Sequence, residues 1–365
     1  MLHPPSSGDS AILPRSLVEL TSGTSVGCSY IQTLSIRTPF SDDGALKPGT
    51  IQGSSLGHLM QKLHNLRSLQ LVDLDVTAVE GPLEVPLVSL NSLELTFEGR
   101  VERPVAAAIT ALSLFENIRD LKITVEYLGR NEKLIPPLPI QHIGDLTLKG
   151  SLLGIRALRE TLHPDSTITS LSLCPHLGDW SEVIDLGLII RNVSSQLVSL
   201  TLTPGLAMVY CWETIGTLPT RTQWQTLNLL ECSALDSVTF ILDEVGFYRA
   251  FAEYAAESLL DVLSYVPSTV RAINFQVGRR SLSCITVAES MFGSEENMSF
   301  WQQLNEMLSN LPRLCQIEFW FVIEEDRYKA TWRESIEKHM PSYHAKGLVS
   351  FRFRFDLAPC QTVGS

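Results

Sequence analysis

Gly53-Ser-Ser-Leu-Gly57 is the segment whose spacing comes nearest to a nucleophile, because it matches the G-x-S-x-G elbow of serine hydrolases. Asp and His residues follow Ser55 in the order such a hydrolase needs. The elbow also requires an apolar strand directly before the serine, so that a strained turn exposes its hydroxyl. Here the preceding residues, Gly44-Ala-Leu-Lys-Pro-Gly-Thr-Ile-Gln52, read as a loop. Leu56, Leu59, Met60 and Leu63 then have helical spacing, so Ser54 and Ser55 are expected to cap a helix rather than to attack a carbonyl.

A second constellation has the residue types of a metal site. His163, Asp165, Cys174, His176 and Asp179 bracket one apolar stretch, but their spacing matches no tetrahedral zinc pattern, and Pro164 and Pro175 mark turns. These side chains are expected on solvated loops, as is the charge cluster Glu324-Glu-Asp326. The chain shows no phosphate-cradling glycine loop and no paired-histidine helix. The expectation is a protein that is not an enzyme, with no catalytic residue, cofactor or metal. Trp180, Trp224, Trp301 and Trp332 stand where helices are expected to begin, which suits packing between neighbouring units better than a ligand platform.

The elements that carry these residues follow a repeat. A six-residue phrase (apolar, any, polar, apolar, polar, apolar) occurs eleven times. The copies are Ile31–Ile36, Leu66–Leu71, Leu90–Leu95, Ile118–Ile123, Ile143–Leu148, Ile168–Leu173, Leu197–Leu202, Leu235–Phe240, Val270–Phe275, Leu314–Phe319 and Leu348–Phe353. Their first residues lie 24 to 44 positions apart. The fifth residue is polar in every copy and the third in all but one, Ala272, which gives a period of two with one face buried and one wet. These are short strands. Between them stand helical stretches: Pro104 opens Val105–Leu112 from a first-turn position, Trp301–Leu308 precedes Leu314, and Glu244–Val266 carries one apolar side. Aligning Trp224–Leu230 with Trp301–Leu308 places the eighth strand at Leu235 and not at Trp224.

Helix and strand in alternation give parallel strands joined by right-handed crossovers. The expected fold is therefore α/β: a leucine-rich-repeat-like solenoid, or horseshoe, with a parallel concave sheet of about eleven short strands and helices on the convex side. Residues 29–365 form this single solenoid, with a loop insertion at 276–300, and residues 1–28 are a flexible tail or frayed cap. A one-dimensional core accommodates 365 residues without a dividing linker.

Charge and cysteine narrow the partners. A net charge of −12 argues against a nucleic-acid backbone as ligand. Seven scattered cysteines with no Cys-x-x-Cys pair favour buried, reduced thiols, and Met1-Leu-His-Pro-Pro has no signal-peptide pattern. Val183–Ile190, the longest apolar run, is too short to cross a membrane. The expected setting is cytoplasmic or nuclear, without nucleic acid or membrane, as a monomer with protein partners.

The L-x-x-L-x-L strands, the uneven repeat length and Leu259-Leu-Asp-Val-Leu-Ser-Tyr-Val-Pro-Ser-Thr-Val-Arg-Ala-Ile-Asn-Phe275 resemble leucine-rich-repeat proteins. In particular they resemble the irregular repeat regions of fungal F-box-type proteins, over about residues 29–356. That resemblance implies substrate recognition in a ubiquitin ligase, with a Skp-type adaptor as partner. Two features depart from the family. The place of the usual ladder Asn or Cys is held by residues such as Leu74, Glu98, Ser151 and Gly205. Leu13–Leu20 is similar to the start of an F-box, but the first strand at Ile31 leaves no room for the rest.

In a horseshoe the polar strand positions form the concave floor, the candidate partner surface. They are Ser68, Gln70, Ser92, Glu94, Asp120, Lys122, Asp145, Thr147, Ser170, Ser172, Ser199, Thr201, Ser237, Thr239, Asn274, Gln316, Glu318 and Arg352. Parallel pairing stacks them in two columns, mostly Ser and Thr in the middle, without aromatic or arginine anchors there. The competing location for recognition is the 276–300 loop.

Overall fold

The computed structural model describes residues 30–38, 49–77, 88–98, 101–125, 142–151, 167–176, 180–203, 224–242, 249–277, 298–323 and 327–355. The chain divides into two compact units, Met1–His176 and Leu177–Ser365. The tail 1–28 and all but the ends of the 276–300 insertion lie outside the described residues. Those ends belong to regular elements.

In the first unit, the strands β1 (Thr33–Arg37), β3 (Ser68–Val72), β5 (Val88–Phe97), β6 (Phe115–Val125), β7 (His142–Ser151) and β8 (Ser170–His176) lie side by side in that order. All their pairings are parallel. Each corresponds to one copy of the repeated phrase. Leu69, Leu93, Leu121, Leu146 and Leu171, the fourth residue of successive copies, are all buried, as the period of two requires. Among the described residues this unit has two helices, α1 (Gly53–Lys62) and α2 (Pro104–Leu112), the latter with proline in its first turn.

Among the described residues of this unit, one connection carries a strand where a helix was expected. Gly49–Gln52 and Leu74–Thr77 form β2 and β4, a separate two-stranded parallel sheet, where 44–52 read as loop. The connection from β3 to β5 therefore passes through a strand. Asp73 makes this corner: it is 2% exposed, its φ is +52°, and it turns the chain out of one sheet and into the other.

In the second unit, β9 (Ser199–Leu202), β10 (Ser237–Ile241), β11 (Ala272–Val277), β12 (Gln316–Ile323) and β13 (Val349–Phe355) are again adjacent and parallel. Among the described residues the α-helices are α3 (Trp180–Val193), α4 (Arg249–Leu263), α5 (Met298–Ser309), α6 (Arg327–His339) and α7 (Pro341–Ala345). The expected helix at Trp224 is instead two 3-10 turns, Gln225–Leu227 and Leu229–Glu231, separated by Asn228 at φ +56°. The eighth strand does begin beyond Leu235. Gly187 of α3 explains how close these turns come: a Cβ there would stand 1.8 Å from the Thr226 carbonyl oxygen. Trp224, Trp301 and Trp332 are all buried in packing positions.

The buried face of this unit is aromatic. Phe240, Phe275 and Phe319 stack in succession across β10, β11 and β12, with centroids 6.0 and 5.0 Å apart. Phe351, not Phe353, continues that row at 6.0 Å, and Phe353 stacks on Phe321 at 5.5 Å. The last strand is thus shifted by two residues against the register implied by aligning the eleven phrases. A shift of two keeps every side chain on its own face, so hydrophobic alternation alone does not distinguish the two registers.

Candidate functional site: the polar face of the strands

The strand residues opposite the core form the columns expected of them. In the first unit, Ser68, Ser92, Asp120, Asp145 and Ser170 are register partners, and so are Gln70, Glu94, Lys122, Thr147 and Ser172. Pairing across parallel strands places these side chains near enough to bond one another, and several do. Ser35 Oγ donates to Gln70 Oε1 at 2.8 Å, Gln70 Nε2 donates to Glu94 Oε2 at 3.0 Å, and Lys122 Nζ donates to the other Glu94 oxygen. Arg37 Nη2 also donates to Gln70 Oε1, at 3.3 Å. Four strands are tied by one polar chain.

Beside that chain, Asp120 and Asp145 face each other in register. Burial, followed by the hydrogen bond and the negative charge of Asp120, pushes the Asp145 carboxyl above its ordinary range, while Arg119 partly offsets the rise. The pair is an electrostatic liability of the fold.

In the second unit, Ser199, Ser237, Ala272 and Gln316 form one column, and Thr201, Thr239, Asn274, Glu318 and Ser350 the next. Asn274 Nδ2 donates to Thr239 Oγ1 at 3.1 Å, whereas Asn274 Oδ1 is buried with no hydrogen-bond partner. The shift of β13 removes Arg352 from the column where the phrase alignment put it. Its register partner is Trp320, which pairs in turn with Gln276. From there Arg352 Nε reaches across to Glu318 and makes an ion pair with it.

A third column therefore exists, and it holds what the six-residue phrase omitted. β11 and β12 run past their phrases, to Val277 and Ile323. Trp320 falls on the polar face two residues beyond Glu318 and is only partly buried. The signal was present as simple alternation in Gln316-Ile-Glu-Phe-Trp-Phe321, but the phrase ended at Phe319. Trp320 and Arg352 supply the aromatic and guanidinium surface that the Ser- and Thr-rich columns lack.

The other candidates separate. Ser55 is the third residue of α1, with Gln52 as N-cap and no side-chain cap, so neither Ser54 nor Ser55 caps the helix. A strand, β2, does precede α1, which corrects the loop reading over 49–52, while 44–48 lie outside the described residues. Ser55 nevertheless sits within a helical turn and has no positive φ, unlike an exposed elbow nucleophile. His163, Asp165, Asp179 and Glu324–Asp326 lie outside the described residues, and Cys174 Sγ stands 3.9 Å from Ser172 Oγ. Among the described residues, no group of three or more His, Cys, Asp or Glu is placed to hold a metal ion, and no helix is long and apolar enough to cross a membrane.

One residue does the work of the missing asparagine ladder, at a single rung. Asp73 Oδ1 accepts from the Glu98 N–H at 2.7 Å, and the Asp73 N–H donates to the Thr96 carbonyl at 2.8 Å. Thr38 Oγ1 donates to the Asp73 carbonyl and accepts from the Gly49 N–H at 2.9 Å. Asp73 stands two residues past the end of its phrase at Leu71, one earlier than the regular ladder position at Leu74, which is why the pattern missed it.

The described residues define a mixed α/β protein built on parallel strands, eight in the first unit (the β2–β4 pair included) and five in the second. No protein-family model matches the chain. No curated protein matches it either.

Proposed function

We propose that the chain is a non-enzymatic, leucine-rich-repeat-like solenoid that binds a protein partner across the polar face of its strands. The observation that carries the reading is the register. Polar side chains from successive strands stand in columns, and Trp320 and Arg352 give that face an anchor in the second unit. The resemblance to F-box-type proteins extends the proposal to substrate recognition in a ubiquitin ligase through a Skp-type adaptor, in the cytoplasm or nucleus.

Affinity capture from the native lysate, run in parallel on wild type, Trp320→Ala and Thr239→Lys, tests both parts. Partners retained by wild type and lost by both variants support binding across the strand face. Partners retained equally by all three refute it. Recovery of a Skp-type adaptor and a cullin supports the ligase role, whereas a reproducible partner set without them leaves a free-standing interaction scaffold.

A further inference from the structure

The third column of the second unit joins four different chemistries. Ile241, Gln276, Trp320 and Arg352 are successive register partners on β10, β11, β12 and β13. Each follows a phenylalanine of the buried stack, Phe240, Phe275, Phe319 or Phe351, so alternation puts all four on the opposite face. Ile241, Gln276 and Trp320 are partly exposed there, and Arg352 is exposed.

The column is held in place by its main chain, and its side chains are left with unused bonding capacity. The Gln276 carbonyl accepts from the Leu242 N–H at 2.7 Å, just beyond the last β10 partner. Among the described residues, the Trp320 ring stacks on no other ring, its N–H has no acceptor, and the Gln276 side-chain amide makes no hydrogen bond. Arg352 gives Nε to Glu318 and keeps its two terminal nitrogens. The Glu318 side chain is 11% exposed and that of Arg352 66%, so the pair presents its guanidinium to solvent.

Spacing selects the conformation of the occupant. Neighbouring strands lie ~4.8 Å apart, so Ile241 and Trp320, two strands from each other, stand about 9.6 Å apart. A polyproline II turn of three residues rises about 9.3 Å and meets both. An extended strand repeats a face every ~6.8 Å and misses one of them. An α-helix spans about 10.5 Å over seven residues, but its intervening side chains then press on Gln276, and its carbonyls are already bonded. Polyproline II carbonyls are free to accept from the Gln276 amide and the Trp320 N–H. We propose, building on partner binding across the strand face, that this column docks a proline-rich segment of the partner protein, with residues i and i+3 on Ile241 and Trp320 and a flanking carboxylate on Arg352. Charge complementarity fixes the flank, because the exposed guanidinium pairs best with a carboxylate.

The test is fluorescence anisotropy of the full-length chain with fluorescein-labelled decapeptides of alanine and a terminal Asp. Three carry a pair of prolines spaced two, three or four residues apart, and a fourth carries none. The three-residue spacing should bind tightest. Trp320→Ala should weaken it by about tenfold or more, as loss of an aromatic anchor does, whereas Glu257→Ala on α4 leaves it unchanged. Replacing the peptide Asp by Asn should weaken binding to wild type and not to Arg352→Gln. Circular dichroism confirms that each variant is folded. Equal binding of all spacings or of the proline-free peptide overturns the proposal, as does binding insensitive to Trp320→Ala. Absence of binding by every probe also overturns it, and if Trp320→Ala still loses the native partner, the strand-face reading stands without it. A dimer in sedimentation that Pro139→Ala dissolves would put the chain's own Pro136-Pro-Leu-Pro139 in the site and overturn the assignment to a partner.

Discussion

Replacing Asp73 tests how the first unit is held together. The carboxylate accepts the Glu98 N–H at 2.7 Å from a residue 2% exposed with φ at +52°. Three substitutions separate the two contributions. Asp73→Ala removes the charge-assisted acceptor, a loss of about 1.5–3 kcal/mol, and places a Cβ without a compensating polar group in the left-handed region, at about 1 kcal/mol more. Asp73→Gly removes only the acceptor, because glycine adopts that φ freely. Asp73→Asn retains an acceptor oxygen and tolerates the same backbone, so it should fall within about 1 kcal/mol of wild type. With a urea slope of about 2 kcal/mol per M, the alanine variant should lose about 1–2 M in midpoint. Far-UV circular dichroism is the appropriate signal, because all six tryptophans lie in the second unit. The expected order is wild type, Asn, Gly, Ala. An asparagine variant as weak as alanine, or an alanine variant equal to wild type, would refute the corner as a structural rung.

Gly187→Ala should destabilise the second unit by about 2–3 kcal/mol, because its methyl meets the Thr226 carbonyl oxygen at 1.8 Å; urea unfolding followed by tryptophan emission measures it. Asp145→Asn should change stability with pH in a definite direction. The folded carboxyl titrates above its unfolded value, so the folded state binds the proton more tightly and loses stability as pH rises through the carboxylate range. The variant should therefore gain on wild type at pH 7 and lose that advantage below about pH 4, where Asp145 is protonated in both states. The thiols should differ as well. Burial, with a smaller contribution from Glu231, pushes Cys232 up to about 11, whereas Cys315 is exposed. Maleimide labelling at pH 7.5 with peptide mapping should modify Cys315 in the native protein and Cys232 only after unfolding. Labelling of native Cys232 as rapid as that of Cys315 would contradict its burial.

The strands were legible because burial on one face writes itself into the sequence as alternation. All eleven phrases correspond to strands, and aligning Trp224–Leu230 with Trp301–Leu308 put the eighth of them at Leu235 rather than Trp224. Helices were legible where proline or an apolar stripe marked them, as at Pro104 and in α5. What escaped were features set by contacts between distant segments. The β2–β4 pair depends on Asp73 turning the chain, which no apolar pattern records. The register of β13 is settled by Phe351 reaching Phe319, and a period of two is blind to a slip of two. Trp320 was hidden by ending the phrase at Phe319 although the strand runs on to Ile323. The expectation of uniformly buried thiols fails at Cys315, which precedes β12 on the exposed surface.

Binding across the polar strand face is tested most directly by photo-crosslinking within the native complex. A photoreactive phenylalanine analogue placed at Thr239, Asn274 or Trp320 samples that face, and one at Glu257 or Gln302 samples the helices. Irradiation of the captured complex should join partner to chain from the first three positions and not from Glu257. Crosslinks from Gln302 in addition would mark α5 as a second contact. Crosslinks confined to the two helix positions, with none from the strands, would contradict the central claim.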